Sequence, residues 1–241
     1  MKFHTSISKT ENGVHVIRGH DLIELMEKHS FVEVIFLLLR GSLPEERERE
    51  LMETMLVAPV ENGLEAPSIF IPRIVASTGN NFHTALAAGV LAIGERHGGA
   101  GEAAAQLFSS GKSAVEIVDE YIRNKKILPG FGHKIYKEED PRATAIYKRA
   151  KELGFSCRYF ELAYAIEQEF AKQKGKKIPL NIDGALAAGL LELGFDARLG
   201  KAFFLISRII GMSAHILEEL NQNNPYYRLE ESEVTPDENA S

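Results

Sequence analysis

Pro129-Gly130-Phe131-Gly132-His133-Lys134-Ile135-Tyr136-Lys137-Glu138-Glu139-Asp140-Pro141-Arg142 is the stretch on which the reading of this chain turns. Pro129, Gly130 and Gly132 break any helix and expose backbone N–H and C=O groups, which suit a nucleotide base or a carbonyl. Lys134 and Lys137 add charge suited to phosphates. His133 can donate to, or accept from, a reacting oxygen. Asp140-Pro141 reads as the N-cap and first turn of a following helix. No Gly-Lys-Ser/Thr follows, so this is not a phosphate-cradling P-loop. In isolation the stretch is more simply an ordinary Gly/Pro loop with an exposed histidine.

Outward from that loop the helix period dominates. Upstream, Leu22, Leu25 and Met26 fall on one helical face. Ser30 with Glu33 forms a capping box for a helix that runs through Leu39, is apolar on most faces, and stops at Gly41. Pro44 suits the first position of the next helix, with Glu45 and Glu46 in its first turn. Residues 58–73 carry Pro59, Gly63, Pro67 and Pro72 and read as loops with one short helix. Ala76 to Ile93 is rich in Ala, Gly, Ser and Thr and reads as one central, tightly packed helix. Ser113 with Glu116 is a second capping box. Downstream, helices are expected over Tyr159–Lys172, Ile182–Leu193 and Ala197–Gln222, with a basic loop at Gly175–Lys177. Val14-His15-Val16-Ile17 is a short extended piece closed by Gly19. No stretch alternates strictly enough to require a sheet, so the class is all-α. Residues 230–241 read as a frayed acidic tail.

The chain has 241 residues, 44% hydrophobic and 26% charged, which suits one or two globular domains with a sizeable core. A net charge of −6 argues against a general nucleic-acid surface. The single cysteine, Cys157, leaves no disulfide framework and fits a reducing compartment. Met1-Lys2-Phe3-His4-Thr5 opens without an apolar signal region. The longest apolar run, Val34–Leu39, is too short to span a bilayer, so a cytoplasmic protein with no membrane partner is expected. No Cys/His pair has ligand spacing and no HExxH occurs, so no metal site is expected.

Two further places set an ionisable residue beside glycine. Arg96-His97-Gly98-Gly99 lets a backbone or ligand approach His97; equally, His97 could be a C-terminal charge on a Gly-capped helix. In Asn181-Ile182-Asp183-Gly184, Asp183 stands at a helix start, and on local grounds it is first an N-cap. Arg142, Arg208 and Arg228 are candidate carboxylate binders, since guanidinium offers a forked, bidentate contact. Arg208 is the most informative. It lies in the apolar run Phe203–Gly211, where a charge needs a structural carboxylate or a ligand.

Together these segments resemble the citrate synthase superfamily. Gly130–Tyr136 followed by Asp140-Pro141-Arg142-Ala143 is similar to its Gly-x-Gly-His…Asp-Pro-Arg signature. His97-Gly98-Gly99 resembles its first catalytic His-Gly-Gly, and Asn181-Ile182-Asp183 its catalytic Asp segment. Ser207–Gly211 with Ala214-His215 resembles its late arginine helix. Order and spacing agree across residues 76–228. The chain is shorter than full-length citrate synthases, mainly at the N-terminus. With Tyr226-Tyr227-Arg228 near the end, it looks more like citryl-CoA lyase and the C-terminal module of ATP-citrate lyase.

The resemblance implies a large helical domain of residues 1–98 and 195–241, and an inserted small domain of 99–194. It implies closure about a hinge at His97, and a homodimer or higher homo-oligomer with the helix near Ala85–Ala92 at an interface. No tightly bound cofactor is implied; a coenzyme A thioester is substrate. Asp183 would exchange a proton with the acetyl-CoA methyl, and His97 would donate to the thioester oxygen. His133 would protonate the ketone oxygen of oxaloacetate, or take the hydroxyl proton of citryl-CoA in cleavage. Arg142 and Arg208 would grip substrate carboxylates, and Arg228 would reach the neighbouring subunit's site. Leu128, Pro129, Gly130, Phe131 and Gly132 would contact CoA through backbone, with Lys134 and Lys137 adding charge.

The implied activity is cleavage of citryl-CoA to acetyl-CoA and oxaloacetate, a step of tricarboxylic acid metabolism. The alternatives are a citrate or related acyl-CoA synthase running the condensation, and a non-catalytic CoA-binding subunit. One departure stands out. Where the family carries Asp-His-Gly, this chain has Glu61-Asn62-Gly63. Asn62 keeps a hydrogen-bonding group for substrate but no possible positive charge, which bears on substrate and turnover rather than on fold.

Overall fold

A computed structural model describes residues 1–235. The acidic tail expected over 230–241 therefore lies partly outside the described residues; within them, Glu231–Glu233 is one exposed 3-10 turn. The chain is 59% helical, which confirms the all-α class.

It opens, however, with a small antiparallel meander of β1 (Ser8–Glu11), β2 (Val14–Ile17) and β3 (His20–Asp21), where a single extended piece was expected. The missed signal was turn chemistry rather than alternation. Asn12 and Gly13 both have positive φ, 51° and 82°, and Ser8 pairs with Ile17 across them. Such a two-residue turn matches the twist of the strands it joins, and Asn-Gly is its strongest sequence sign.

The helices follow as α1 (Leu22–Lys28), α2 (Phe31–Arg40), α3 (Glu46–Val57), α4 (Pro67–Ser77), α5 (Phe82–Leu91), α6 (Ala100–Phe108), α7 (Ala114–Arg123), α8 (Pro141–Glu152), α9 (Arg158–Lys174), α10 (Ile182–Glu192) and α11 (Gly200–Gln222). Both expected capping boxes form, Ser30 with Glu33 and Ser113 with Glu116. Three expectations need correction. Pro44 precedes α3 instead of starting it, because Glu45 takes the cap position and exchanges hydrogen bonds with Glu48. Met26 is exposed, and of the expected α1 face only Leu25 is fully buried. The helix expected over Ala76–Ile93 is two helices: α4 ends at Ser77, Gly79 turns the chain at φ 86°, and α5 restarts after Asn81.

The chain forms two compact units, divided differently from the expected domains. Residues 1–59 cluster with 98–204, and residues 60–97 cluster with the chain from Leu205 onward. In the first unit α10 is the central helix. It is buried from Gly184 to Leu190 and packs on α6, α8 and α9. Its small residues permit this: Gly189 lies against Met55 of α3, where an added Cβ would stand 2.6 Å from the sulfur. Gly101 of α6 meets Gly200 backbone to backbone in the same way.

In the second unit α4 packs on α5, and Gly89 brings α5 against Pro72, Ser68 and Met212. Residues Ala197–Gln222, which include α11, are long and apolar enough to cross a membrane by length and composition alone. Within the second unit a buried stripe runs along this helix through Arg208, Met212, Ile216 and Glu219, a spacing that keeps one face turned to that unit's interior.

Candidate active site

The first unit gathers His133, Arg142 and the start of α10 around one short bridge. Phe131 pairs with Leu180: the Gly132 N–H donates to the Pro179 carbonyl at 2.8 Å, and the Asn181 N–H to the Gly130 carbonyl at 3.0 Å. The Asn181 amide also donates to the Gly132 carbonyl at 2.9 Å, and its oxygen caps α10 by accepting from Gly184 N–H at 3.1 Å. Asp183 is thus the second residue of α10 and not its cap, and its half-buried carboxylate sits where the helix dipole favours negative charge. The glycines make the approach possible. A Cβ on Gly130, which has φ 82°, would stand 2.7 Å from the Gly184 Cα, and a Cβ on Gly184 would collide with the Gly130 carbonyl.

Asp140 ties the bridge to α8. It is fully buried, takes the Arg142 guanidinium through Nε at 3.0 Å and a terminal nitrogen at 2.8 Å, and accepts from Ile182 N–H at 3.1 Å. Burial pushes its carboxyl up, but Arg142 prevails and holds it below its usual range. Arg142, expected to face substrate, is therefore first the partner of Asp140. Burial opposes its charge, and the hydrogen bond and charge of Asp140, with a smaller part from Asp183, more than restore it. It also lines a cavity of about 630 Å³ between α3 and α8.

His133 is oriented by its own loop. Its Nδ1 accepts the backbone N–H groups of Ile135 and Tyr136, each at 3.1 Å, and its ring stacks on Tyr136. Two obligate donors on Nδ1 place the proton of the neutral ring on Nε2. That Nε2 lies 3.3 Å from a terminal nitrogen of Arg142. Two donors facing one another are matched by an oxygen bearing negative charge, which makes this a place for a carboxylate or an alkoxide. Burial, then Arg142, holds the His133 imidazolium below its usual pKa, with Asp140 acting the other way.

The second unit holds His97 by a parallel device. His97 is not at a helix end: α5 stops at Leu91, and a tight turn pairs Gly94 with His97 through reciprocal backbone hydrogen bonds. Its Nε2 accepts the Ser68 N–H at 3.3 Å and lies 2.8 Å from the Ser68 hydroxyl. Ser68 is the second residue of α4, so the ring caps a helix N-terminus that repels an imidazolium. The Ser68 hydroxyl accepts from Arg208 at 3.5 Å. Burial, then the Arg208 charge, lowers the His97 pKa. The ring is thus neutral with its proton on Nδ1. Arg208 is 2% exposed, so its charge is spent on interior partners such as Ser68.

Asn62 lies in an exposed loop of the second unit whose neighbour Glu61 pairs with His215 at 3.1 Å. Arg228 is exposed beyond α11, one residue after Tyr227, whose hydroxyl donates to Glu219 at 3.0 Å. Of the loop expected to meet CoA, Leu128 and Phe131 are buried, and the Gly130 and Gly132 carbonyls are already engaged by Asn181. Lys134 and Lys137 are exposed. Lys137 also lines a cavity of about 350 Å³ with His133, Tyr136, Lys176 and Lys177. Sequence reasoning passed over Lys176 and Lys177 as a basic loop, and over Ser68 entirely. The sequence sign for Ser68 was its place after Pro67 at a helix start. Among the described residues no group of three His, Cys, Asp or Glu side chains is arranged to hold a metal.

Each unit of this mainly helical chain thus holds one neutral histidine oriented by backbone N–H groups with an arginine near it, and the first unit adds a carboxylate at a helix N-terminus. The chain belongs to the citrate synthase family: the family described as citrate synthase, C-terminal domain, matches residues 44–230. Citrate synthase 2 of Bacillus subtilis is 31% identical over 214 residues, which is 86% of this chain and 56% of that protein. The chain thus spans little more than half the length of such curated relatives. The structure of citryl-CoA lyase from Hydrogenobacter thermophilus superposes with a TM-score of 0.93 at 42% identity, over 99% of this chain and 95% of that one. Citrate synthase from Thermoplasma acidophilum, in a ternary complex with carboxymethyl coenzyme A and oxaloacetate, superposes with a TM-score of 0.71 at 28% identity, over 88% of this chain and 58% of that one.

Proposed function

We propose that this protein cleaves citryl-CoA to acetyl-CoA and oxaloacetate. The observation that carries the reading is the match to citryl-CoA lyase along nearly the whole of both chains, at 42% identity. The acid–base geometry supports it. In cleavage the citryl hydroxyl loses its proton to solvent, and the alkoxide is held between His133 Nε2–H and Arg142. The carbon–carbon bond breaks as the carbonyl of oxaloacetate forms, and its electron pair passes into the acetyl thioester enolate. His97 Nδ1–H donates to that thioester oxygen. Asp183, a carboxylate at rest, takes up a proton from solvent and passes it to the released carbon, so the proton count closes. One expected role changes. With Nδ1 occupied by two backbone N–H groups, His133 has no lone pair with which to take the hydroxyl proton, and acts as a donor in both directions.

The test is incubation with citryl-CoA, following acetyl-CoA and oxaloacetate. A second incubation with acetyl-CoA and oxaloacetate follows free CoA and citrate. Release of acetyl-CoA and oxaloacetate without citrate supports the lyase. Citrate and free CoA from the second mixture transfer the reading to a synthase, which the matches to named citrate synthases favour. No turnover in either mixture, with coenzyme A still bound, leaves the non-catalytic subunit.

A further inference from the structure

The segment Pro179–Ile182, which delivers Asn181 and Asp183, is held along both edges. On one edge it pairs with Gly130 and Gly132, as described. On the other, alternate N–H groups go to buried carboxylates: Ile182 to Asp140 at 3.1 Å, and Leu180 to Glu167 at 2.8 Å. Successive N–H groups of an extended chain point to opposite sides, so Leu180 and Ile182 face away from the loop that Asn181 meets, and neither carboxylate can stand in for the loop backbone.

Glu167 lies in the middle of α9, on the face that buries Phe160, Ala163 and Ile166. It is only 9% exposed. A carboxylate at such a position is costly without partners. Its two oxygens have different ones: one accepts from Leu180 N–H, and the other lies 3.5 Å from Lys177 Nζ. Lys177 in turn lines the cavity that His133 lines. A leucine would fill this face of α9 as well as glutamate does, so packing alone gives no reason for the charge.

We propose that Glu167 is a positioning residue: by holding the Leu180 N–H it fixes, with Asp140, the segment that sets Asp183 at the start of α10 and Asn181 against the His133 loop. This rests on the citryl-CoA reading for its kinetic consequence, though not for its geometry. A displacement of the reacting group by about 1 Å costs on the order of 100-fold in rate when substrate is still bound. The effect therefore falls on kcat more than on KM.

Two variants separate positioning from bulk stability. Glu167→Gln keeps an oxygen for the Leu180 N–H and loses the ion pair with Lys177; Glu167→Ala loses both. The expected result is a kcat for citryl-CoA lowered by roughly 10- to 100-fold in Glu167→Ala with KM changed less than about 3-fold, and Glu167→Gln within about 3-fold of the parent. Amide hydrogen exchange gives a readout independent of turnover. The Leu180 amide exchanges at least about 10-fold faster in Glu167→Ala than in the parent or in Glu167→Gln. The proposal is overturned if Glu167→Ala lowers Tm alone, if Glu167→Gln is as impaired as Glu167→Ala, or if Leu180 exchange is unchanged. Should Glu167→Ala fail to fold, Glu167→Asp, one methylene too short to reach, takes its place with the same expected result. If the parent turns over no citryl-CoA, the functional reading fails by itself and hydrogen exchange decides the positioning.

Discussion

His97 and His133 belong to different units, yet each is made a neutral donor by the same physics applied to opposite ring nitrogens. His97 spends Nε2 on the Ser68 N–H at the start of α4, and His133 spends Nδ1 on the N–H groups of Ile135 and Tyr136. Each has an arginine beside it, Arg208 or Arg142, that with burial keeps the ring uncharged. The difference lies in what does the holding. His133 is held by its immediate neighbours in sequence, and His97 by a helix 29 residues upstream. Neither ring, so held, is arranged to accept a proton. Under the proposed cleavage, proton exchange with carbon then falls to Asp183.

The strongest way to break that division of labour is Asp183→Asn. If the histidines only donate hydrogen bonds, this variant loses about 10³- to 10⁴-fold in kcat, while coenzyme A affinity, measured by calorimetry, stays within a few-fold. His97→Ala and His133→Ala each remove one preorganised donor and are expected to lose roughly 10²- to 10³-fold. Steady-state kinetics on all three test the ranking. A histidine variant as damaging as Asp183→Asn would return proton transfer to that ring.

The asymmetry also governs what the sequence made legible. Local rules worked where the partner was local. The boxes Ser30/Glu33 and Ser113/Glu116, and the cap Asp140 before Pro141, all form as read. The Gly130, Gly132 and Gly184 positions were visible as breakers, but that Gly130 and Gly184 touch one another was not, since 54 residues separate their numbers. Ser68 was invisible for the same reason: nothing near it in sequence shows that a histidine 29 residues on will cap its helix. Asn181 displaced Asp183 as the cap because two candidate caps stood two residues apart, and local pattern could not rank them. The β1–β3 meander is marked in the sequence by Asn12-Gly13 and not by alternation, because its strands are only two to four residues long.

Two milder substitutions sharpen the comparison, one in each unit. Gly184→Ala drives a methyl into the Gly130 carbonyl, and overpacking of this kind costs about 1–3 kcal/mol. Urea denaturation should show that loss, and kcat should fall with it as the His133 loop is pushed off α10. Ser68→Ala leaves the backbone N–H on His97 Nε2 and removes only the hydroxyl that links the ring to Arg208. The expected loss is smaller, about 3- to 10-fold in kcat, on the scale of one hydrogen bond of about 0.5–1.5 kcal/mol. An unchanged kcat would mean that the helix N-terminus alone orients His97.

The smallest effect is a pH dependence, and its sign follows from the two rings. Burial first, and the neighbouring arginine second, lower both histidine pKa values from 6.5. As pH falls through 6.5 an unfolded chain takes up these two protons while the folded one does not, so the unfolded state binds more protons and gains. The stability held by the neutral rings is complete above pH 6.5 and is lost as pH drops from there through the folded values. The carboxyls whose pKa is lowered, Asp140 among them, act in a separate window at or below their ordinary values of 3.8 to 4.5. Urea midpoints should therefore decline between pH 7 and pH 5, and His97→Gln and His133→Gln should each remove part of the slope. For the same reason kcat/KM should stay level as pH falls to 6.5 and drop only below it, because the donors keep their tautomers there. An acid limb centred above pH 6.5 would mean that one ring works as the imidazolium, and the parallel between the two histidines would fail at that ring.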